Sequence, residues 1–304
     1  MTEFTPLQQK FQEFNTSCVL KFSEPMSAHT SFRIGGPAEV MAFPKTENEL
    51  ADILNLSAIL DCNCRILGAG TNVLAPDEGI GGVVICLKDG FDGMEQLENQ
   101  RIRVGSGVTM TRAAIFAANL GLSGLEFAHG IPGSVGGGVY MNAGAYGGEI
   151  CQVCETVTTM DFHGNLRTRT AEEMRFSYRH SILEDVNEIV ISAVFALTEK
   201  PVEDIKATMK ELMAKRSASQ PLDMPSAGSA FKRPVGGYAA ALIDQAGLKG
   251  YQVGNAGISI KHAGFAVNLG GATAADVVNL LRDVSDKVYE HSGIRLEPEV
   301  RLWK

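Results

Sequence analysis

Positive charge is in short supply in this chain: 27 Lys and Arg stand against 35 Asp and Glu over 304 residues, a formal charge of −8 with a pI near 5.3. A nucleic-acid or anionic-membrane surface needs a basic footprint, so neither partner is expected. Any anionic ligand must be met by a local cluster of cations or backbone donors. No apolar run reaches the roughly 18 residues of a membrane span. The opening residues, MTEFTPLQQKFQEF, lack the basic segment and apolar core of a secretory leader, and a cytoplasmic protein is the expectation. Gly-Lys-Ser and Gly-Lys-Thr are absent, which removes a Walker loop. Six cysteines fall at positions 18, 62, 64, 86, 151 and 154, and Cys151 and Cys154 alone have C-x-x-C spacing. With no second such pair and no nearby paired histidine, no zinc site is formed, and reduced, mostly buried thiols are expected.

What the chain does have is glycine, and it is concentrated. Between Gly130 and Gly148, in GIPGSVGGGVYMNAGAYGG, glycine takes eight of nineteen positions. Glycine reaches positive φ and keeps no side chain between a ligand and the backbone, so such a run can aim several peptide N–H groups at one anion. A Rossmann turn wants G-x-G-x-x-G between strand and helix, and Gly133, Gly136, Gly137 and Gly138 are spaced differently. No long periodic helix follows. A turn cluster without a ligand is the alternative reading. A second cluster, Gly68-Ala69-Gly70-Thr71-Asn72-Val73-Leu74, follows the short apolar segment Arg65–Leu67. Two backbone-exposing loops suit a ligand with two phosphates and a long body.

Six segments together resemble the signature stretches of one family: RIGGPAEV at 33–40, GAGTNVL at 68–74, GLEFAHGIPGSVGGGVYMNAGAYGGE at 124–149, FSYRHS at 176–181, PSAGSAFKRP at 225–234 and LEPEVR at 296–301. The family is that of UDP-N-acetylenolpyruvoylglucosamine reductase, also called UDP-N-acetylmuramate dehydrogenase, in its shorter subclass. The resemblance runs from about residue 30 to the C-terminus in the family's order. It implies an α+β chain: a vanillyl-alcohol-oxidase-type (PCMH-type) FAD-binding fold in two subdomains plus a smaller C-terminal α/β substrate-binding domain. It also implies an NADPH-dependent flavoprotein oxidoreductase of peptidoglycan precursor synthesis, which reduces UDP-N-acetylglucosamine enolpyruvate to UDP-N-acetylmuramate through non-covalent FAD.

Carried over position by position, the resemblance implies catalytic roles for Arg179, Ser229 and Glu299. Arg179 would hold the substrate carboxylate, Ser229 would deliver a proton, and Glu299, kept protonated, would donate a hydrogen bond to the developing enolate. It implies a flavin lined by Arg33, by Gly68, Ala69, Gly70, Thr71, Asn72, Val73 and Leu74, and by Gly130, Ile131, Pro132, Gly133, Ser134, Gly137, Asn142, Ala143 and Gly144. Tyr178, Lys232 and Arg233 would meet substrate, and Lys232 is the nearest cation in sequence to ease proton loss from Ser229. Arg233 stands where the family more often has asparagine, and Gly138 where it usually has alanine, a change expected only to loosen the loop. His129, in the same stretch, is expected to be a solvent-facing loop residue. No metal is implied.

Local patterns supply the frame. Leu7, Phe11 and Phe14 mark a short amphipathic helix over residues 5–18, and Ala38–Phe43 a strand. Thr46–Glu49 is a capping box for a core helix with Leu50, Ile53, Leu54 and Ile59 inward. Arg65–Leu67 and Val83–Leu87 complete a strand, helix, strand unit. A helix over Thr109–Leu120 ends at Gly121. Thr156–Asp161 and Asn165–Arg169 form a hairpin, Thr170–Glu173 caps a brief helix, and Ile189–Leu197 is a strand. Helices start at Pro201, near Tyr238 and at Thr273, the last ending at Gly293; residues 217–228 are irregular, and Pro298–Trp303 is a final strand. The domain division placed on this frame is 1–200 for FAD and 201–304 for substrate, with 298–304 returning to the first domain. A monomer is the expected state. Two rival functions are an oxygen-using flavin oxidase and a nucleotide-sugar binding protein without chemistry; the joint presence of Arg179, Ser229 and Glu299 favours the reductase.

Overall fold

The computed structural model describes residues 4–304. The described chain forms two compact units. The first holds the residues up to Phe22, then Val40–Ala69 and Gly82–Lys215; the second holds Ser23–Glu39, Gly70–Gly81 and Arg216–Lys304.

In the first unit the helix expected over residues 5–18 is shorter, Pro6–Glu13, with Phe11 buried and Phe14 extended beyond its end; the later helix signals act as written, with two exceptions. Thr109 Oγ1 accepts from Arg112 N at the start of helix Met110–Asn119, whose Met110, Ala113, Ala114, Ala117 and Ala118 are buried. Small alanines let this helix pack closely on Ile102, Val104 and Phe195 of the sheet. That sheet is antiparallel, in the order Leu166–Thr170, Cys154–Asp161, Glu188–Ala196, Arg101–Gly105, Met94–Leu97. Helix Glu47–Ile59 is capped by Thr46 and turns Leu50, Ile53 and Leu54 onto Val40, Val83, Ile85, Ile189 and Ile191. Ile59, expected on this face, is 80% exposed, because nine residues at about 100° each put it on the side of the helix opposite Leu50. The strand Cys64–Leu67 then runs parallel to Ile80–Cys86.

The second exception is Thr170–Glu173. Both capping-box bonds form, Glu173 N to Thr170 Oγ1 at 3.3 Å and Thr170 N to Glu173 Oε2 at 2.8 Å, yet no helix follows. Arg175 takes φ 47°, which stops propagation after one turn. Beside it, Arg169 and Glu188 form an ion pair with side chains only 8% and 12% exposed, and Thr159 Oγ1 donates to the same carboxylate at 2.6 Å.

In the second unit an antiparallel sheet runs Ser226–Ser229, Phe265–Asn268, Ala256–Ile258, Gln252–Val253. Helix Ala274–Ser292 buries Val277, Leu280, Leu281, Val284 and Val288 with Ala239, Ile243, Ala256 and Ile258. Each such side chain contributes roughly 1.5–3 kcal/mol of burial. Thr273 and Asp276 form the capping box, Asp77 accepts from Ala274 N and Ala275 N at 2.8 and 3.1 Å, and Gly293 ends the helix at φ 72°. Helix Val202–Ser219, which belongs to the first unit as far as Lys215, reaches further than expected and stops where Gln220 precedes Pro221, a position that disfavours helical backbone. Within the stretch expected to be irregular, Ser226–Ser229 is drawn into the sheet by pairing with Phe265–Asn268. The last strand is short, Arg301–Leu302, parallel to Val73–Leu74. Among the described residues no helix is long and apolar enough to cross a membrane.

Candidate functional site

The central glycine stretch, Gly130–Gly148, belongs to the first unit and is more ordered than its composition suggests. Ser134 caps a six-residue helix, Val135–Tyr140, which carries three glycines and which no periodicity announced. The segment before it is pinned to strand and helix backbone, Met110 N to Gly133 O at 3.0 Å, Val135 N to Val108 O at 2.8 Å and Gly136 N to Ser106 O at 2.9 Å. Only glycine fits at 136: a Cβ there would lie 2.8 Å from Ser106 Cβ. The first glycine cluster begins against this loop, since a Cβ on Gly68 would sit 2.6 Å from Ser134 Oγ.

The two segments share a further property. The peptide N–H groups of Gly68, Ala69, Gly133 and Ser134 find no acceptor among the described residues, although Ser134 is only 3% exposed. Gly68, Ala69 and Gly133 are half-buried, and a set of uncommitted N–H groups on adjoining glycine-rich turns is the kind of cradle that a phosphate takes. The residues present therefore fit a phosphate-bearing cofactor at this loop. Gly130, Ile131 and Pro132 lead into it, Ile131 N being tied back to Ala128 O.

His129 departs from expectation. The residue is half-buried rather than fully solvent-facing: its ring Nδ1 is buried with no hydrogen-bond partner among the described residues, and its carbonyl accepts from Thr111 Oγ1 at 2.6 Å at the end of the turn Glu126–Ala128.

Beyond the six-residue helix the chain turns at Asn142, φ 42°, into the tight hairpin Gly144–Ala145 and Gly148–Glu149. Asn142 is 1% exposed. Across from it, Ser177 and His180 exchange backbone bonds at 3.0 and 3.2 Å, closing a turn that displays Tyr178 and Arg179. Arg179 takes φ 55°, and its guanidinium donates to Gly144 O at 3.1 Å and reaches Asn142 O at 3.5 Å. Its carbon lies 5.2 Å from the ring centroid of Tyr178, which is 45% exposed. A non-glycine residue held at positive φ stores strain that a surrounding network must hold, and such residues gather at working sites. Glu149 completes this network by accepting from Asn142 Nδ2 at 3.2 Å. In the sequence the one signal for Glu149 is its place at the end of the GAYGGE hairpin.

The second unit carries the remaining candidates. Arg33, φ 55°, is exposed on a loop tied down by Ser31 Oγ to Ser226 O at 2.6 Å and Asn268 Nδ2 to Phe32 O at 3.0 Å. Gly70 packs on the same loop: Ser31 N donates to Gly70 O at 3.0 Å, and a Cβ at Gly70 would meet His29 O at 2.0 Å. Thr71 follows Gly70, and Val73 and Leu74 form the strand paired with Arg301 and Leu302. Asn72 Nδ2 donates to Glu299 O at 3.3 Å, and Asn72 O accepts from Arg301 N.

Ser229 and Glu299 are brought close by main-chain pairing. Glu299 N donates to Ala230 O at 3.0 Å, Phe231 bridges Pro298, and Lys232 N donates to Glu297 O at 2.8 Å. Ser229 is exposed at the end of its strand; Glu299 is half-buried. The Lys232 ammonium pairs with the Glu297 carboxylate, while the Arg233 guanidinium lies 4.5 Å over the ring of Tyr238, so the two cations have separate partners. His262, close in the chain to Ser229's strand partner Phe265, was missed in the sequence. Burial holds its imidazole below the ordinary value of 6.5, and its Nδ1 accepts from Gly264 N at 3.1 Å.

The six cysteines are free. Cys18, Cys86 and Cys154 are buried, and burial pushes the Cys18 and Cys154 thiols up to about 11 and about 12. Cys62, Cys64 and Cys151 are half-exposed, so burial covers fewer thiols than expected; the first two lie where the chain leaves helix Glu47–Ile59 for the strand Cys64–Leu67. Among the described residues no cluster of three or more His, Cys, Asp or Glu could hold a metal ion.

Residues 38–168 match the family described as FAD binding domain, and residues 220–303 the one described as UDP-N-acetylenolpyruvoylglucosamine reductase, C-terminal domain. The UDP-N-acetylenolpyruvoylglucosamine reductase of Agathobacter rectalis is 47% identical over 290 residues, 92% of each chain. That of Latilactobacillus sakei is 42% identical over 296 residues, 96% of each chain. The crystal structure of UDP-N-acetylenolpyruvylglucosamine reductase from Thermus caldophilus superposes with a TM-score of 0.80 at 37% identity, over 94% of this chain and 99% of that one. A BBE-like protein of Physcomitrella patens, at TM-score 0.50 and 16% identity over 64% of this chain and 45% of its own, shares the fold alone. The vanillyl-alcohol-oxidase-type FAD-binding fold with a smaller C-terminal domain is thus borne out. Two family matches and relatives alike over nearly their whole length agree: this chain belongs to the UDP-N-acetylenolpyruvoylglucosamine reductases.

Proposed function

We propose that the protein reduces the enolpyruvyl ether of UDP-N-acetylglucosamine enolpyruvate to the lactyl ether of UDP-N-acetylmuramate, with NADPH as electron donor and FAD bound without a covalent link. The observation that carries this reading is the set of unpartnered N–H groups at Gly68, Ala69, Gly133 and Ser134 in one unit, in a chain that also holds Arg179, Ser229 and Glu299. When bound, FAD would supply the two-electron chemistry that links NADPH to the terminal carbon of the enol ether.

The chain's own residues do the rest. The glycine-rich turns hold the cofactor's phosphates through backbone donors, with Arg33, the segment Gly70–Leu74, Ala143 and Gly144 lining the flavin. Arg179 presents a planar cation to the substrate carboxylate, where negative charge grows as the ether-bearing carbon gains electron density. Ser229 Oγ, exposed and without a partner among the described residues, gives its proton to that carbon. Glu299, protonated, donates a hydrogen bond to the enolate-like oxygen. Tyr178, Lys232 and Arg233 meet the nucleotide sugar. Residues 1–200 serve the cofactor and 201–304 the substrate, with 298–304 returning to the first, in a monomeric cytoplasmic enzyme.

An anaerobic visible spectrum tests the reading. NADPH bleaches the flavin band, and UDP-N-acetylglucosamine enolpyruvate restores it in the wild type. In Ser229→Ala bleaching persists and restoration slows by roughly 10²-fold or more; equal slowing of both steps removes Ser229 from the proton-donor role. Acid precipitation releases the flavin into the supernatant. Flavin retained on the denatured chain would point instead to the buried Nδ1 of His129 and to an oxidase.

A further inference from the structure

We infer that Asn142 is a positioning residue for Arg179 rather than a hydrogen-bond donor to cofactor or substrate, an inference that rests on the catalytic role proposed for Arg179. A side-chain amide has two N–H donors and one carbonyl acceptor. Both donors of Asn142 are engaged, Nδ2 giving to Ser177 O at 2.9 Å and to Glu149 Oε2 at 3.2 Å. Its Oδ1 accepts from Cys151 N at 3.0 Å. The side chain, in a residue 1% exposed, has both N–H groups committed inside its own unit, so it could donate to a ligand only by breaking a bond already made.

What those bonds join is the point. Ser177 opens the turn whose third residue is Arg179, and Glu149 pairs in register with Gly144, whose carbonyl receives the Arg179 guanidinium. The asparagine thus ties both ends of the arginine, its backbone turn on one side and its guanidinium rest on the other. Both residues sit at positive φ, 42° for Asn142 and 55° for Arg179. Asparagine is among the few side chains that tolerate this region, which accounts for the residue type as well as its bonds. The arginine's conformation is strained and so depends on such a clamp.

Asn142→Gly separates the alternatives, because glycine keeps the positive φ without strain and removes only the side chain. In the holoenzyme, reoxidation of reduced flavin by the enolpyruvyl substrate falls roughly tenfold, while reduction by NADPH and flavin retention stay within about twofold. On an Arg179→Ala background the same change costs less than about twofold, since the arginine is no longer there to be placed. An equal loss on both backgrounds, or weakened flavin retention, overturns the proposal. Asn142→Asp, which keeps the shape but sets a second carboxylate beside Glu149, serves if the glycine variant does not fold and carries the same expectations. Amide hydrogen exchange gives a readout independent of turnover: His180 N–H exchanges roughly tenfold faster in the variant while helix Met110–Asn119 is unchanged. Unchanged exchange at His180 sinks the idea. Failure of the wild type to reoxidise with substrate would count against the proposed function and leave the exchange experiment to decide the role of Asn142.

Discussion

The two units present their reactive side chains in different ways. In the first, Arg179 is held by side chains: a strained residue on a short turn, fixed through Asn142 and Glu149 by bonds that one substitution can delete. In the second, Ser229 and Glu299 are held by main chain, Ala230 and Lys232 pairing with Glu299 and Glu297, and no side-chain change removes those bonds. The difference extends to charge. The first unit buries an ion pair inside its sheet, Arg169 with Glu188, and the guanidinium holds that carboxyl below the usual glutamate range. The Lys232–Glu297 pair of the second lies at the surface, its glutamate 71% exposed. The ion pair is thus part of the interior in the first unit and part of the surface in the second.

The largest effect that would break this comparison is expected at the buried pair. Arg169→Met leaves Glu188 buried with Thr159 as its remaining partner, which costs about 3 kcal/mol of stability. Glu297→Gln in the second unit costs less than about 1 kcal/mol, as exposed pairs do. Urea midpoints of the two variants read the contrast directly, and similar shifts for both would show that the first unit's charges are no more structural than the second's.

His262 sharpens the comparison, being the second unit's one histidine with a resolved shift among the described residues. Unfolded, its ring takes up a proton near pH 6.5; folded, burial delays this to lower pH. The unfolded state thus binds more protons in that interval. Stability from this group is complete above about pH 6.5 and is lost as pH falls through the folded value, with a slope of at most about 1.4 kcal/mol per pH unit. Asp276, whose carboxyl is held down by bonds from Thr273 and Asn255, contributes only further down, below its ordinary 3.8. His262→Asn keeps an acceptor for Gly264 N and removes the proton site. Its urea midpoint is expected to be flatter than wild type between pH 7 and 5.5, and identical slopes would refute the assignment.

Much of this architecture was legible because local chemistry and tertiary structure agree. Thr46, Thr109 and Thr273 cap the helices their spacing announces, and Gly121 and Gly293 end them at positive φ. Where the two diverge, the sequence misleads. Thr170 and Glu173 write a capping box whose bonds form without a helix, since Arg175 turns the chain away. The helix Val135–Tyr140 has three glycines and no periodic face; it exists because Val108, Ser106 and Ser134 take its first N–H groups. Strands Val19–Pro25 and Met94–Leu97 were not read, because partly exposed strands carry a weak apolar signal. In the site, the glycine segments stood out by composition, whereas the clamp on Arg179 did not. Its partners lie 35 positions apart in sequence, at Asn142 and Ser177, and nothing local joins them.

Gly138 offers the smallest and most pointed test, since glycine in place of the family's usual alanine is expected only to loosen the loop. Gly138 is buried in the interior of Val135–Tyr140, where glycine costs roughly 0.5–1 kcal/mol relative to alanine. A Cβ there would lie 2.7 Å from Met110 Sδ and 3.3 Å from its Cε, while Ala143 Cβ at 3.7 Å is an ordinary contact. The obstacle is the far end of a flexible thioether, which can move more readily than backbone. Gly138→Ala is therefore expected to stabilise the first unit by a few tenths of a kcal/mol, the helical gain less the cost of shifting a methionine that is itself 1% exposed. Met110→Ala removes the obstacle, so adding Gly138→Ala to it recovers the full gain of about 1 kcal/mol over Met110→Ala alone. Equal gains in the two backgrounds would mean that Met110 does not oppose the alanine. A loss in both would place the glycine's value in the loop's backbone freedom, where the first unit, like the second, would then be relying on main chain.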